Sequence, residues 1–222
     1  MKNVITIAAV SITSCLLYSL MLGSAYNHYF YTSLAKLILF LAIPLVYIML
    51  TKHERFRDFF RIKGNKKYIK ISAALGITTF ALILLGFAAL YGFFDRQMIA
   101  DGLAKEGITK ATYPYVFVYI VFINAFLEEL FFRGFVFAKM FRLGYEKFAY
   151  IFSSVLFAVY HIAMMNSWFS PPIFTLCLAG LTAAGLIFCE LHKRCECVTG
   201  AAILHVSANM AINLIGAWVL YF

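Results

Sequence analysis

Apolar residues in this chain neither alternate at a strand period nor mark one face of a helix. They run on in stretches as long as a bilayer is thick, about 20 residues at 1.5 Å per helical residue. The runs are Val4 to Leu22, Ser33 to Leu50, Ile71 to Phe94, Pro114 to Phe141, Phe148 to Met165, Ile173 to Leu191 and Ala201 to Phe222. This pattern predicts an all-α, polytopic transmembrane bundle of about seven spans. The first run follows Lys2 and precedes Gly23-Ser24-Ala25, as a secretory signal would, but its length and the spans behind it favour a retained helix. Pro44 predicts a kink in the second span, Gly144 ends the fourth, and Gly180 with Ala184 predicts a small-residue packing face on the sixth. Residues 95–112 carry both charge signs and predict a short external connection with an interfacial helix. No internal repeat or soluble domain interrupts the series. Residues 1–112 hold three spans and a basic loop at 51–70, residues 113–222 hold the rest, and the two parts form one integrated domain.

Composition agrees with the pattern. Of 222 residues, 64% are hydrophobic and 13% charged, which excludes an ordinary soluble protein. A net charge of +9 could suggest nucleic acid. The basic residues, however, gather in short loops, above all Lys52, Arg55, Arg57, Arg61, Lys63, Lys66, Lys67 and Lys70. That distribution is a topology signal placing the N-terminus in the cytoplasm, so the expected large partner is the lipid bilayer and no nucleic acid. Arg96, Lys105 and Lys110 fall on the other side, and Lys36 lies within a span. Short loops suit a bacterial cytoplasmic membrane. The five cysteines lack framework spacing and read as thiols, while His192, Cys195 and Cys197 form an H-x-x-C-x-C cluster short of a full soft-metal ligand set.

Against this background the charges inside the fourth run stand out. Glu128, Glu129 and Arg133 occupy an otherwise apolar stretch, where an ionisable side chain is costly and marks a functional site. Glu129 and Arg133, four apart, share a helix face and predict an ion pair, whereas Glu128 points roughly 100° away and is expected to be the acid left free for chemistry. Counting outward from the turn at Gly144 brings His161 to the depth of Glu128. His205 and Asn209 share one face of the seventh span, and Asn124 and Asn213 extend the polar lining or glue helices together. A carboxylate, two imidazoles and an amide in a recessed pocket suit acyl hydrolysis: Glu128 as base, His161 as the partner holding water, His205 and Asn209 as oxyanion donors. Glu129 and Arg133 then support the site structurally. Expected cofactors are none. The rival is zinc on Glu128, His161 and His205, although no H-E-x-x-H segment is present. Other classes that use such residues are a proton or ion pathway, a bacteriocin-immunity protein, and a purely structural ion-pair network.

Glu128-Glu129-x-x-x-Arg133, Phe157-x-x-x-His161 and His205-x-x-x-Asn209, in that order and each in an apolar run, resemble the three motifs of the CPBP (Abi) family of CAAX prenyl endopeptidases and bacteriocin-processing proteins. The resemblance covers residues 113–222. It implies an intramembrane endopeptidase working through glutamate-activated water, with Glu128 and His161 activating the water and His205 and Asn209 meeting the oxyanion. The implied partner is a peptide or protein substrate in the membrane, such as a leader-bearing peptide.

Overall fold

Backbone in hydrocarbon must satisfy its own N–H and C=O groups, and a helix does so within one segment. The computed structural model describes residues 2–23, 28–51, 59–165 and 169–222. Among them seven helical segments are long and apolar enough to cross a membrane: span 1 (Asn3–Leu22), span 2 (Tyr29–Thr51), span 3 (Lys66–Ala89), span 4 (Tyr113–Arg142), span 5 (Glu146–Met165), span 6 (Pro171–Cys195) and span 7 (Thr199–Tyr221). The described residues contain no strand, and the chain is an integral membrane protein. An eighth helix, Arg96–Lys105, is capped by Asp95, whose side chain accepts from Met98 N–H at 3.1 Å. A helix is thus found in the connection where the sequence led one to expect it. Arg96 ties it to span 7 through the Val219 carbonyl, 3.2 Å away.

The seven apolar runs correspond to the seven spans, with several boundaries shifted by four or five residues. Span 3 starts at Lys66 because the Asn65 side chain accepts from Lys67 N–H at 3.1 Å, an N-cap that starts the helix five residues before the apolar run. Lys66, Lys67 and Lys70 therefore belong to the helix rather than to a loop. Long lysine stems allow this, since their ammonium heads reach back to the polar boundary. Lys52, Arg55 and Arg57 of the basic loop, Ser24 and Ala25 beside the first run, and positions 166–168 lie outside the described residues.

Span 4 is the hub. Phe131, Phe132, Phe135, Val136, Phe137 and Met140 are all buried, so these four phenylalanines are packing residues and do not face lipid. Phe40 of span 2 stacks on Phe131 at 4.2 Å and 9° between planes. Span 4 also departs from regular α-helix twice, in π-helical stretches at Tyr119–Asn124 and Leu130–Phe137 that flank the short α-helical piece Ala125–Glu129. Wider π turns re-aim the side chains around them. Both glutamates consequently end up buried, on either side of one hub helix. In span 2 the kink expected at Pro44 takes the same form: proline supplies no N–H, and just before it Ile43 N–H reaches back to Ile38 O, within a π turn at Ile38–Ala42.

The packing glycine of span 6 is Gly185. A Cβ there would stand 2.8 Å from Ser154 Cα and Cβ on span 5. Gly180, expected to pack with Ala184, is exposed with nothing within 4 Å, because a five-residue step turns the two glycines to different sides of the helix.

Candidate active site

Glu129 and Arg133 pair as their spacing predicts, with NH1 to Oε1 at 3.0 Å and both side chains fully buried. Arg133 NH2 continues to the Gly185 carbonyl at 3.4 Å. Its guanidinium carbon lies 4.3 Å from the Phe157 ring centre and 4.8 Å from that of Phe188, between a ring of span 5 and a ring of span 6. A planar cation between aromatic faces gains quadrupole attraction where no water competes. Glu129 Oε1 also receives His205 Nδ1 at 2.8 Å. One ion pair thus fastens span 4 to spans 5, 6 and 7.

Glu128 is not the free acid that the helical spacing suggested. Lys36 of span 2 places its Nζ 2.8 Å from Glu128 Oε1, 2.6 Å from Asn124 Oδ1 and 2.9 Å from the Tyr160 hydroxyl, and only 3% of the residue is exposed. Asn124 Nδ2 donates to the same Oε1 at 2.8 Å, and the Tyr160 hydroxyl donates to it as well. Oε1 is saturated by three donors, whereas Oε2 has no hydrogen-bond partner. The signal for Lys36 was present in the sequence. It is a lysine inside an apolar run, and the argument that singled out Glu128 applies to it equally. Counted from Ser33 it sat near a helix start, where a lysine can reach water; span 2 begins at Tyr29, which carries Lys36 two turns inside.

The unpartnered Oε2 faces both histidines. Span 5 breaks its α-helix at His161, whose Nδ1 bonds the Phe157 carbonyl at 2.6 Å and whose Nε2 lies 4.0 Å from Glu128 Oε2. His205 Nε2 approaches the same oxygen to 3.7 Å. A carbonyl and a carboxylate can only accept, so each Nδ1 carries its hydrogen; in a neutral ring Nε2 then offers its lone pair toward Glu128. Asn209 is not bonded to either acid: its Nδ2 donates to Ile120 O at 3.1 Å, joining span 7 to the first π stretch of span 4. Asn124 does extend the polar lining, as its position one turn before Glu128 suggested. The Asn213 side chain stays on its own helix, bonded to Asn209 O, and the link to span 4 is its backbone carbonyl accepting from the Tyr113 hydroxyl.

Among the described residues no group of three or more His, Cys, Asp or Glu side chains is arranged to hold a metal ion. For Glu128, His161 and His205 there is a second obstacle in the chemistry of the donor set. The Lys36 ammonium already neutralises that carboxylate and would repel a dication bound to it. His192, Cys195 and Cys197 form no metal group either; all five cysteines are free thiols, and Cys195 Sγ lies 3.9 Å from Ser72 Oγ.

Residues 110–211 match a family model, Type II CAAX prenyl endopeptidase Rce1-like. Comparison with curated proteins and with solved structures gives no match. The matched stretch contains the two glutamates, Arg133, both histidines and Asn209, and excludes spans 1 to 3 with Lys36. Over residues 110–211 the chain is thus similar to the Rce1-like type II CAAX prenyl endopeptidases, peptide hydrolases of the CPBP or Abi family.

Proposed function

We propose that this protein is an intramembrane endopeptidase that cleaves a membrane-associated or leader-bearing peptide with water activated by Glu128, without a metal. The observation that carries the reading is the asymmetry of one carboxylate: Oε1 held by three donors, Oε2 unpartnered and facing two imidazole nitrogens at 3.7 and 4.0 Å. A water molecule fits the chemistry of that gap, giving one hydrogen to Oε2 and the other to His161 Nε2, with its lone pair left for a carbonyl carbon. Glu128 takes the first proton as attack proceeds and returns it to the leaving nitrogen. His205, oriented by its Nδ1–H bond to Glu129 at 2.8 Å, turns Nε2 toward the developing oxyanion and donates to it when that nitrogen carries a proton. Asn209 joins it by exchanging its bond to Ile120 O for one to the substrate. Positive-inside topology puts the Thr199 end of span 7 in the cytoplasm, less than two turns from His205, so the substrate enters from the cytoplasmic half of the bilayer.

The test is a mass-spectrometric comparison of membrane and secreted peptides from host cells expressing wild type or Glu128→Gln at matched levels. The expected result is a peptide terminus that forms with wild type and with neither Glu128→Gln nor His161→Ala, and that still forms after treatment with a zinc chelator. Identical peptide termini in wild-type and Glu128→Gln cells would overturn the proteolytic reading. Loss of the product on chelation would overturn its metal independence.

A further inference from the structure

Lys36 lies outside the stretch that matches the family, on a span that the motif residues do not include. We propose that Lys36 is a positioning residue for the hydrolysis: it locks Glu128 Oε1 so that Oε2 stays turned toward the two histidines, which makes span 2 part of the catalytic machinery. The proposal rests on the reading of Glu128 as the base.

An ammonium buried at bilayer depth needs compensation for each of its three N–H groups. Here all three are used, on Glu128, Asn124 and Tyr160. The same two neutral partners also donate to Glu128 Oε1, so the four groups close a ring in which every member bonds at least two others. A lone carboxylate can turn about its Cγ–Cδ bond and interchange its oxygens. Inside this ring that rotation breaks three hydrogen bonds at once. The ring is itself fixed from two sides: Phe40, one turn beyond Lys36, stacks on Phe131 of span 4, and Tyr160 is the neighbour of His161. Lys36 thereby sets the carboxylate and the turn that carries the first imidazole. It keeps its protons throughout, while the proton taken from water travels by Oε2 alone.

The experiment uses the purified full chain in phospholipid nanodiscs. Wild type, Glu128→Gln, Lys36→Met, Lys36→Arg and Lys36→Met/Glu128→Gln are compared in Tm and in kcat and KM on the peptide whose terminus depends on wild type. Lys36→Met is expected to lower kcat by about 100-fold, the loss that goes with a misplaced reacting group, at nearly unchanged KM. Lys36→Arg, which retains the cation, is expected to recover much of that loss. Folded Lys36→Met with wild-type kcat would overturn the proposal. Where Lys36→Met does not fold, the double variant decides. A Tm restored to that of Glu128→Gln assigns Lys36 to the carboxylate, and an unrestored Tm makes it a packing residue and overturns the proposal. Full activity in Glu128→Gln would instead sink the hydrolytic reading itself, so the two failures are told apart.

Discussion

Two glycines on span 6 receive the same substitution with opposite expected results. Gly180→Ala adds a methyl group where nothing lies within 4 Å, and Gly185→Ala adds one that meets Ser154 Cα and Cβ at 2.8 Å. The helix-propensity gain, about 1 kcal/mol for alanine over glycine, is common to both and cancels in the comparison. What remains is specific to Gly185. Ordinary contact begins at 3.4 Å, so spans 5 and 6 must part by several tenths of an ångström, and overpacking of this kind costs about 1–3 kcal/mol. The displaced atoms include the Gly185 carbonyl that accepts from Arg133 at 3.4 Å, and loss of that bond costs about 1 kcal/mol more. The variants should differ by about 2–4 kcal/mol. At roughly 2 °C per kcal/mol for a chain of this length, Gly185→Ala should melt about 4–8 °C below Gly180→Ala. Scanning both proteins side by side in one detergent measures the difference. Equal melting temperatures, or Gly185→Ala the more stable, would refute the assignment of Gly185 to the interface between spans 5 and 6.

Arg133→Met leaves the Glu129 carboxylate buried without its cation and should lower stability by about 3–5 kcal/mol, measured as a fall in Tm; adding Glu129→Gln should recover most of it. His205→Ala should reduce kcat by about 10²–10³-fold in folded protein, read on the peptide product, and a smaller loss would remove His205 from the oxyanion site. Glu106, between the helix Arg96–Lys105 and span 4, has its carboxyl lifted to about 7 by burial, against the opposing pull of Lys36. The folded state therefore holds this proton more tightly than the unfolded chain, and its contribution to stability falls as pH rises from about 4.5 to about 7. Glu106→Gln should flatten the change in Tm across that window, and an unchanged pH profile would contradict the burial of this side chain.

The spans were legible because bilayer thickness fixes their length, and the meeting of Glu128 with His161 was legible because a hairpin forces equal counts on its two arms. The pairing of Glu129 with Arg133 is local and followed from spacing alone. Lys36 was different. Its carboxylate lies across the bundle, and no periodicity within span 2 identifies a partner on span 4. The first π turn of span 4 carries no proline or glycine to announce it and the second only Gly134, so nothing in the sequence marks where the hub helix leaves its regular angles. Gly180 and Gly185 look alike in sequence, and only the placement of span 5 tells which one is pressed.

The pairing of the buried charges has an electrical consequence. Lys36 with Glu128, and Arg133 with Glu129, form two ion pairs that together carry no net charge. A transmembrane voltage does about 2.3 kcal/mol of work per 100 mV on each elementary charge carried across the bilayer, and on a neutral set held at fixed depth it does almost none. These four charged side chains can therefore stand in hydrocarbon and add almost no voltage dependence of their own to the site.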